Sequence, residues 1–204
     1  MTPKTKAIPN PEPTQNSWKN GWLQSARPFM SPNQGKRPSG TTVDLIVLHS
    51  ISLPPGLYGG DAVERLFTNR LDWCAHPYFH GIRGLEVSTH FFLRRDGSLY
   101  QFVSTDERAW HAGSSVYRGR VNCNDYSVGI ELEGLEGQPF TALQYLVLAA
   151  LCQSLRARYA IRHIAGHSHV APGRKSDPGP GFDWSHLKTL LSWPADHWPD
   201  HSLD

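Results

Sequence analysis

The chain has 204 residues and a formal charge of +2 with neutral histidines. One domain of this size can bury a core without disulfides or a structural metal, and so balanced a charge, with no run of Lys and Arg, argues against a nucleic-acid partner. No stretch reaches a membrane span and no apolar h-region follows Lys4 and Lys6, while Cys74, Cys123 and Cys152 form no Cys-x-x-Cys pair; a cytoplasmic protein with no membrane partner is expected.

In chain order, residues 1–17 are rich in Pro, Thr, Lys and Asn, a composition that predicts a disordered tail. A single domain is expected over 18–191, and 192–204 as a loosely held end whose Trp193 and Trp198 could dock on the domain. Strands are predicted over 43–49, 87–94, 98–103 and 126–132, with Asp96-Gly97 turning the second into the third as a hairpin. Helices are predicted over 60–68, 141–158 and 183–191. In the second, Thr141 is the N-cap and Leu143, Leu146, Val147, Ala150, Leu151, Ser154 and Leu155 trace an apolar stripe. Strands interleaved with helices predict an α/β or α+β sheet with helices on its faces.

The segment Gly166-His167-Ser168-His169 through Asp177-Pro178-Gly179-Pro180 concentrates two imidazoles, a lysine and a carboxylate in a loop stiffened by Pro and Gly. His167 and Asp177 are half of a catalytic zinc site, which takes three protein ligands and leaves a fourth position for water. His49, at the tip of an apolar strand, is the candidate third ligand. Eleven histidines are present, and a histidine taken singly is more often a hydrogen-bonded residue than a ligand. No His-Glu-x-x-His helix occurs, which excludes the zincin arrangement. Glu131, near the end of a strand and on the same face as Glu133, is either a general base or a salt-bridge partner. Lys175 either steadies an oxyanion or is solvated. The Arg108-Ala109-Trp110-His111-Ala112-Gly113 segment, with Asn122-Cys123-Asn124-Asp125, offers an aromatic face and polar donors for a sugar and a peptide, or a Trp packed on the core.

Taken together, Val47-Leu48-His49-Ser50, Arg94-Arg95-Asp96-Gly97, Arg108 to Gly113, Gly129-Ile130-Glu131-Leu132-Glu133-Gly134 and Gly166 through Trp184 resemble the AmpD-type N-acetylmuramoyl-L-alanine amidases, zinc amidohydrolases related to the peptidoglycan recognition proteins. The resemblance spans about residues 20 to 190 in the family's order. It implies a mixed α/β fold with a central mixed sheet flanked by helices. It also implies one zinc per chain on His49, His167 and Asp177, with Glu131 and Lys175 in catalysis and a muropeptide as substrate. Arg94, Trp110, His111 and Asn124 are the expected substrate contacts, whereas His90 and His169 are not carried over as ligands. The implied reaction is hydrolysis of the amide between (1,6-anhydro-)N-acetylmuramic acid and L-Ala during cell-wall recycling. A lytic amidase on intact peptidoglycan and a non-catalytic muropeptide-binding module are the alternatives.

Overall fold

The computed structural model describes residues 17–199, so residues 1–16 of the expected disordered tail at 1–17, and residues 200–204, lie outside the described part. Six strands form the main sheet: β1 (Arg27–Pro28), β2 (Leu45–Ile51), β3 (Phe91–Leu93), β4 (Leu99–Gln101), β5 (Ser127–Glu133) and β6 (His163–Gly166). Their spatial order is β6-β2-β5-β3-β4-β1. β6, β2, β5 and β3 run parallel, β3 and β4 pair antiparallel, and β1 adds parallel to β4. The sheet is mixed, as expected, and the β3–β4 hairpin turns at Asp96-Gly97, where Gly97 takes a φ of +82° that a side chain would disfavour.

Five helices accompany the sheet: α1 (Ala62–Phe67), α2 (Pro77–His80), α3 (Ala142–Arg158), α4 (His167–Val170) and α5 (Trp184–Leu191). Thr141 caps α3 as predicted, in a reciprocal capping box with Gln144. The buried face of α3 is rotated from the predicted stripe, however. Tyr145, Leu148, Ala149, Leu151, Cys152 and Leu155 enter the core, whereas Leu143 and Leu146 are exposed. Gln144 is fully buried because its amide donates to the Leu93 and Glu133 carbonyls, which satisfies the polar group that the periodicity would have turned outward.

Side-chain alternation along β2 and β5 separates two environments. Ile46, Leu48, Val128, Ile130 and Leu132 pack in the core beneath α3 and α5. The opposite face carries Leu45, Val47 and His49 on β2 and Ser127, Gly129 and Glu131 on β5, with Ala112, Cys123 and Val170 packed against its apolar part. The chain after α5 stays on the body: Trp193 and Trp198 are both buried in the core cluster. The docking that Trp193 and Trp198 could make is present in residues 192–199. Cys74 is exposed, Cys123 and Cys152 are buried, and all three are free thiols. No described helix is long and apolar enough to cross a membrane.

Candidate active site

Three parallel strands deliver the site at one edge. β2 carries His49 near its C-terminal end, β5 carries Glu131 at the register position directly beside it, and β6 ends at Gly166, so that α4 begins on His167. The carboxyl ends of parallel strands are where open α/β sheets place their ligands. Asp177 reaches the same point because its loop folds back, the Ser168 amide donating to the Asp177 carbonyl at 3.0 Å. Close approaches fix that loop: a Cβ on Gly181 would stand 2.2 Å from the Gln138 carbonyl oxygen, and one on Gly166 2.8 Å from the Pro178 ring.

The His49 Nδ1, His167 Nδ1 and Asp177 Oδ2 atoms converge, with separations of 2.9 Å between the two nitrogens and 3.1 Å from each nitrogen to the oxygen. Among the described residues this is the cluster of His, Cys, Asp and Glu that could hold a metal ion. Two imidazoles and a carboxylate suit zinc, whose tetrahedral ligands at about 2.0–2.1 Å stand a little over 3 Å apart, so the donor set fits with small adjustment. Burial, then the neighbouring His167, lowers the His49 pKa to about 4, so its imidazole is neutral and able to ligate at neutral pH. Burial pushes the Asp177 carboxyl up, but hydrogen bonds from His167 and His49 outweigh it and hold the group well below the usual carboxylate range. Asp177 is therefore an anion beside the neutral His49 ring.

Glu131 sits beside this cluster with one carboxylate oxygen buried and without a partner. Burial first, and then the Asp177 charge, raise its pKa well above the usual value, and the Lys175 ammonium opposes them. A bound cation would act in the same direction as Lys175. Lys175 is exposed at the rim and shares the cleft with Glu131, Asp177 and both histidines. The cleft has a volume of about 580 Å³, within the range of small-molecule sites. Its other wall is apolar, built from Leu53, Leu66, Phe67, Ile82, Leu85 and Val87. Most of that wall comes from α1 and the segment that follows α2; no sequence signal marked 82–87 as part of a site, because its apolar residues follow no helical period.

The four expected substrate contacts separate. Only His111 lines the cleft, and it does so as a buried residue whose Nδ1 lies 2.9 Å from His49 Nε2 and whose Nε2 lies 3.1 Å from Ser127 Oγ. Arg94, Trp110 and Asn124 are not in its lining. The Arg94 guanidinium pairs with the buried Glu64 carboxylate and donates to the Gly60 carbonyl, which ties the hairpin to the segment before α1. The Trp110 carbonyl accepts the Ser88 amide, and the Trp110 amide donates to the Ser88 hydroxyl. Asn124 is turned inward, its Oδ1 accepting the amides of His111 and Ala112 at 3.1 and 2.8 Å. The Arg94 and Asn124 side chains are thus occupied in holding backbone, which polar residue type alone does not reveal, and the Trp110 hydrogen bonds are made by its main chain. His90 is buried and closed by the Gly129 amide and the Glu107 carbonyl, and the His169 Nδ1 accepts the Gly166 amide, which accords with leaving both out of the ligand set.

Convergent imidazole and carboxylate donors, a buried carboxylic group beside them and an ammonium at the rim of an open cleft are the parts that a metal-assisted amide hydrolase requires. Residues 39–180 match the family described as N-acetylmuramoyl-L-alanine amidase, and the chain belongs to that family. It is 49% identical over 179 residues to the 1,6-anhydro-N-acetylmuramyl-L-alanine amidase AmpD of Citrobacter freundii, covering 87% of this chain and 95% of the relative. A crystal structure of a Se-Met AmpD derivative superposes with a TM-score of 0.83 at 50% identity, covering 85% of this chain and 98% of that one. The Escherichia coli amidase AmiD, solved in complex with the substrate anhydro-N-acetylmuramic acid-L-Ala-D-gamma-Glu-L-Lys, gives a TM-score of 0.54 at 27% identity, with 76% of this chain and 60% of that chain covered.

Proposed function

We propose that the chain is a zinc-dependent amidase that cleaves the bond between 1,6-anhydro-N-acetylmuramic acid and the L-Ala of a stem peptide, in the recycling of cell-wall fragments. The observation that carries this reading is the meeting of His49 Nδ1, His167 Nδ1 and Asp177 Oδ2 beside the unpartnered carboxylate of Glu131. The likeness to AmpD over nearly the whole domain supports the 1,6-anhydro preference. A zinc ion on these three donors would acidify a water and polarise the scissile carbonyl. Glu131 takes a proton from the attacking water, and the raised affinity of its buried carboxylate for that proton lets it hold the proton until the leaving amine of L-Ala receives it. Lys175 supplies positive charge at the mouth of the cleft, where negative charge develops on the carbonyl oxygen. The apolar wall formed by Ile82, Leu85 and Val87 excludes water from one side of the substrate.

Of the expected substrate contacts, His111 enters this reading as a cleft residue. The cytoplasmic location belongs to the same reading, since anhydro-muropeptides released inside the cell are its substrate; cell fractionation tests it. The test of the activity is turnover of 1,6-anhydro-muramyl tripeptide followed by mass spectrometry, with metal analysis of the same preparation. Release of free peptide that stops with a chelator and returns with zinc is expected. Lysis of purified sacculi without turnover of the soluble fragment would reassign the substrate to intact peptidoglycan, and binding without turnover in zinc-loaded protein would make the chain a recognition module.

A further inference from the structure

Two adjacent residues, His111 and Ala112, meet the outward-facing nitrogens of both metal-site imidazoles. The His167 Nε2 lies 3.2 Å from the Ala112 carbonyl oxygen. A carbonyl only accepts, so the His167 Nε2 carries a proton, which leaves Nδ1 as the nitrogen that would face a metal ion. The His49 Nε2 lies 2.9 Å from His111 Nδ1, and His111 Nε2 lies 3.1 Å from Ser127 Oγ. The His111 ring thus occupies the outward nitrogen of His49, which leaves its Nδ1 as the second nitrogen that would face a metal ion. One dipeptide therefore holds the ring orientation of both candidate ligands.

That dipeptide is itself held by one atom, the Oδ1 of Asn124, which accepts both of its amides. Asn124 is buried, in a short 3₁₀ turn immediately before β5. The turn is anchored by Arg37, which donates to the carbonyls of Asn124, Asp125 and Ser127. We propose that Asn124 is a positioning residue for the metal centre: by gripping the His111 and Ala112 amides it orients both imidazoles with Nδ1 toward the ion. This rests on the zinc-site reading above. Partners behind a metal-bound histidine fix its tautomer and raise metal affinity, and their loss commonly costs roughly tenfold to hundredfold.

The test measures zinc affinity by chelator competition, together with the visible spectrum of the Co(II)-loaded protein, in the full chain. The variants are Asn124→Ala, which removes the acceptor, and Asn124→Asp, which keeps it. Leu148→Ala in the core beneath the opposite face of the sheet serves as a control for general destabilisation. Asn124→Ala is expected to bind zinc roughly tenfold or more weakly with an altered Co(II) spectrum, Asn124→Asp to stay close to wild type, and Leu148→Ala to melt earlier with unchanged affinity. Wild-type affinity in a folded Asn124→Ala variant overturns the proposal. So does weakening in Leu148→Ala equal to that in Asn124→Ala. If Asn124→Ala does not fold, a folded Asn124→Asp variant that loses zinc affinity overturns it equally, and one that keeps wild-type affinity supports it. Failure of the wild-type chain itself to bind zinc would instead remove the metal-site reading on which the proposal stands.

Discussion

Glu131 and His49 are register partners on adjacent parallel strands, so their side chains leave the sheet side by side on one face. The pairing places a buried carboxyl group next to a candidate metal ligand by backbone hydrogen bonding alone, without a loop between them. It also explains how a carboxylate comes to be buried with one oxygen unpartnered, a costly arrangement that structure alone would not favour.

Replacing that carboxylate by its neutral isostere separates its two effects. Glu131→Gln is expected to keep zinc, to lower kcat by roughly a hundredfold or more, and to melt at or above the wild-type temperature, since a buried ionisable group is removed. Steady-state kinetics, metal analysis and thermal melting on one preparation check all three. Near-normal kcat would exclude Glu131 as the proton carrier.

Asp177 contributes the one anionic donor of the cluster. Asp177→Ala should lose zinc and activity together, and zinc added to wild type should raise its melting temperature while leaving the variant unmoved. A variant that retained stoichiometric zinc would remove Asp177 from the ligand set.

Stability of the metal-free protein should depend on acidity in a definite direction. Burial lowers the pKa of His49 to about 4 and of His90 to about 3, with His167 and Arg37 respectively assisting. The unfolded chain, with imidazoles near their usual value of about 6.5, then binds more protons than the folded one at pH 5. The stability these neutral rings carry is complete above about pH 6.5 and is lost progressively as the pH falls toward about 4 for His49 and about 3 for His90. Urea melts of the chelator-treated protein between pH 4 and 8 check this; a flat profile between pH 6.5 and 4 would contradict the buried neutral state of both rings.

Gly129 makes room for His111. A Cβ at residue 129 would lie 2.5 Å from the His111 ring, and ordinary backbone conformation there means that crowding is the whole effect. Gly129→Ala is expected to cost about 1–3 kcal/mol, the usual scale of overpacking, and to weaken zinc binding by displacing the ring behind His49. Denaturant titration and chelator competition measure the two effects; an alanine accommodated without either would show that the His111 ring has freedom to move.

The strands carrying His49 and Glu131, the hairpin at Asp96-Gly97 and the Thr141 cap were legible because each rests on a local rule, alternation, turn chemistry or capping. The observed β2 and β5 each begin and end within two residues of the predicted ranges. β6 was not legible: only Ile164 and Ala165 are apolar within His163–Gly166, and its extended form follows from pairing with β2. The rotation of α3 escaped prediction because that helix carries more apolar residues than one face can bury, and only the sheet beneath decides which. The cluster of His49, His167 and Asp177 was legible by residue type and loop context, with the family resemblance implying catalytic roles for Glu131 and Lys175. The inward turn of Asn124 and the His111 contact with His49 were not, since both arise between segments far apart in sequence.

The division of β5 into two faces has a consequence for how this protein tolerates change. Val128, Ile130 and Leu132 lie in the core, while Ser127, Gly129 and Glu131 serve the site. A one-residue insertion or deletion before this strand would exchange the two sets, driving Glu131 into hydrocarbon and delivering Ile130 or Leu132 to the cleft. A point substitution on either face disturbs one position and leaves the register intact. A slip in length does not, so the turn from Asn122 to Tyr126 should be the stretch of this chain least able to vary in length.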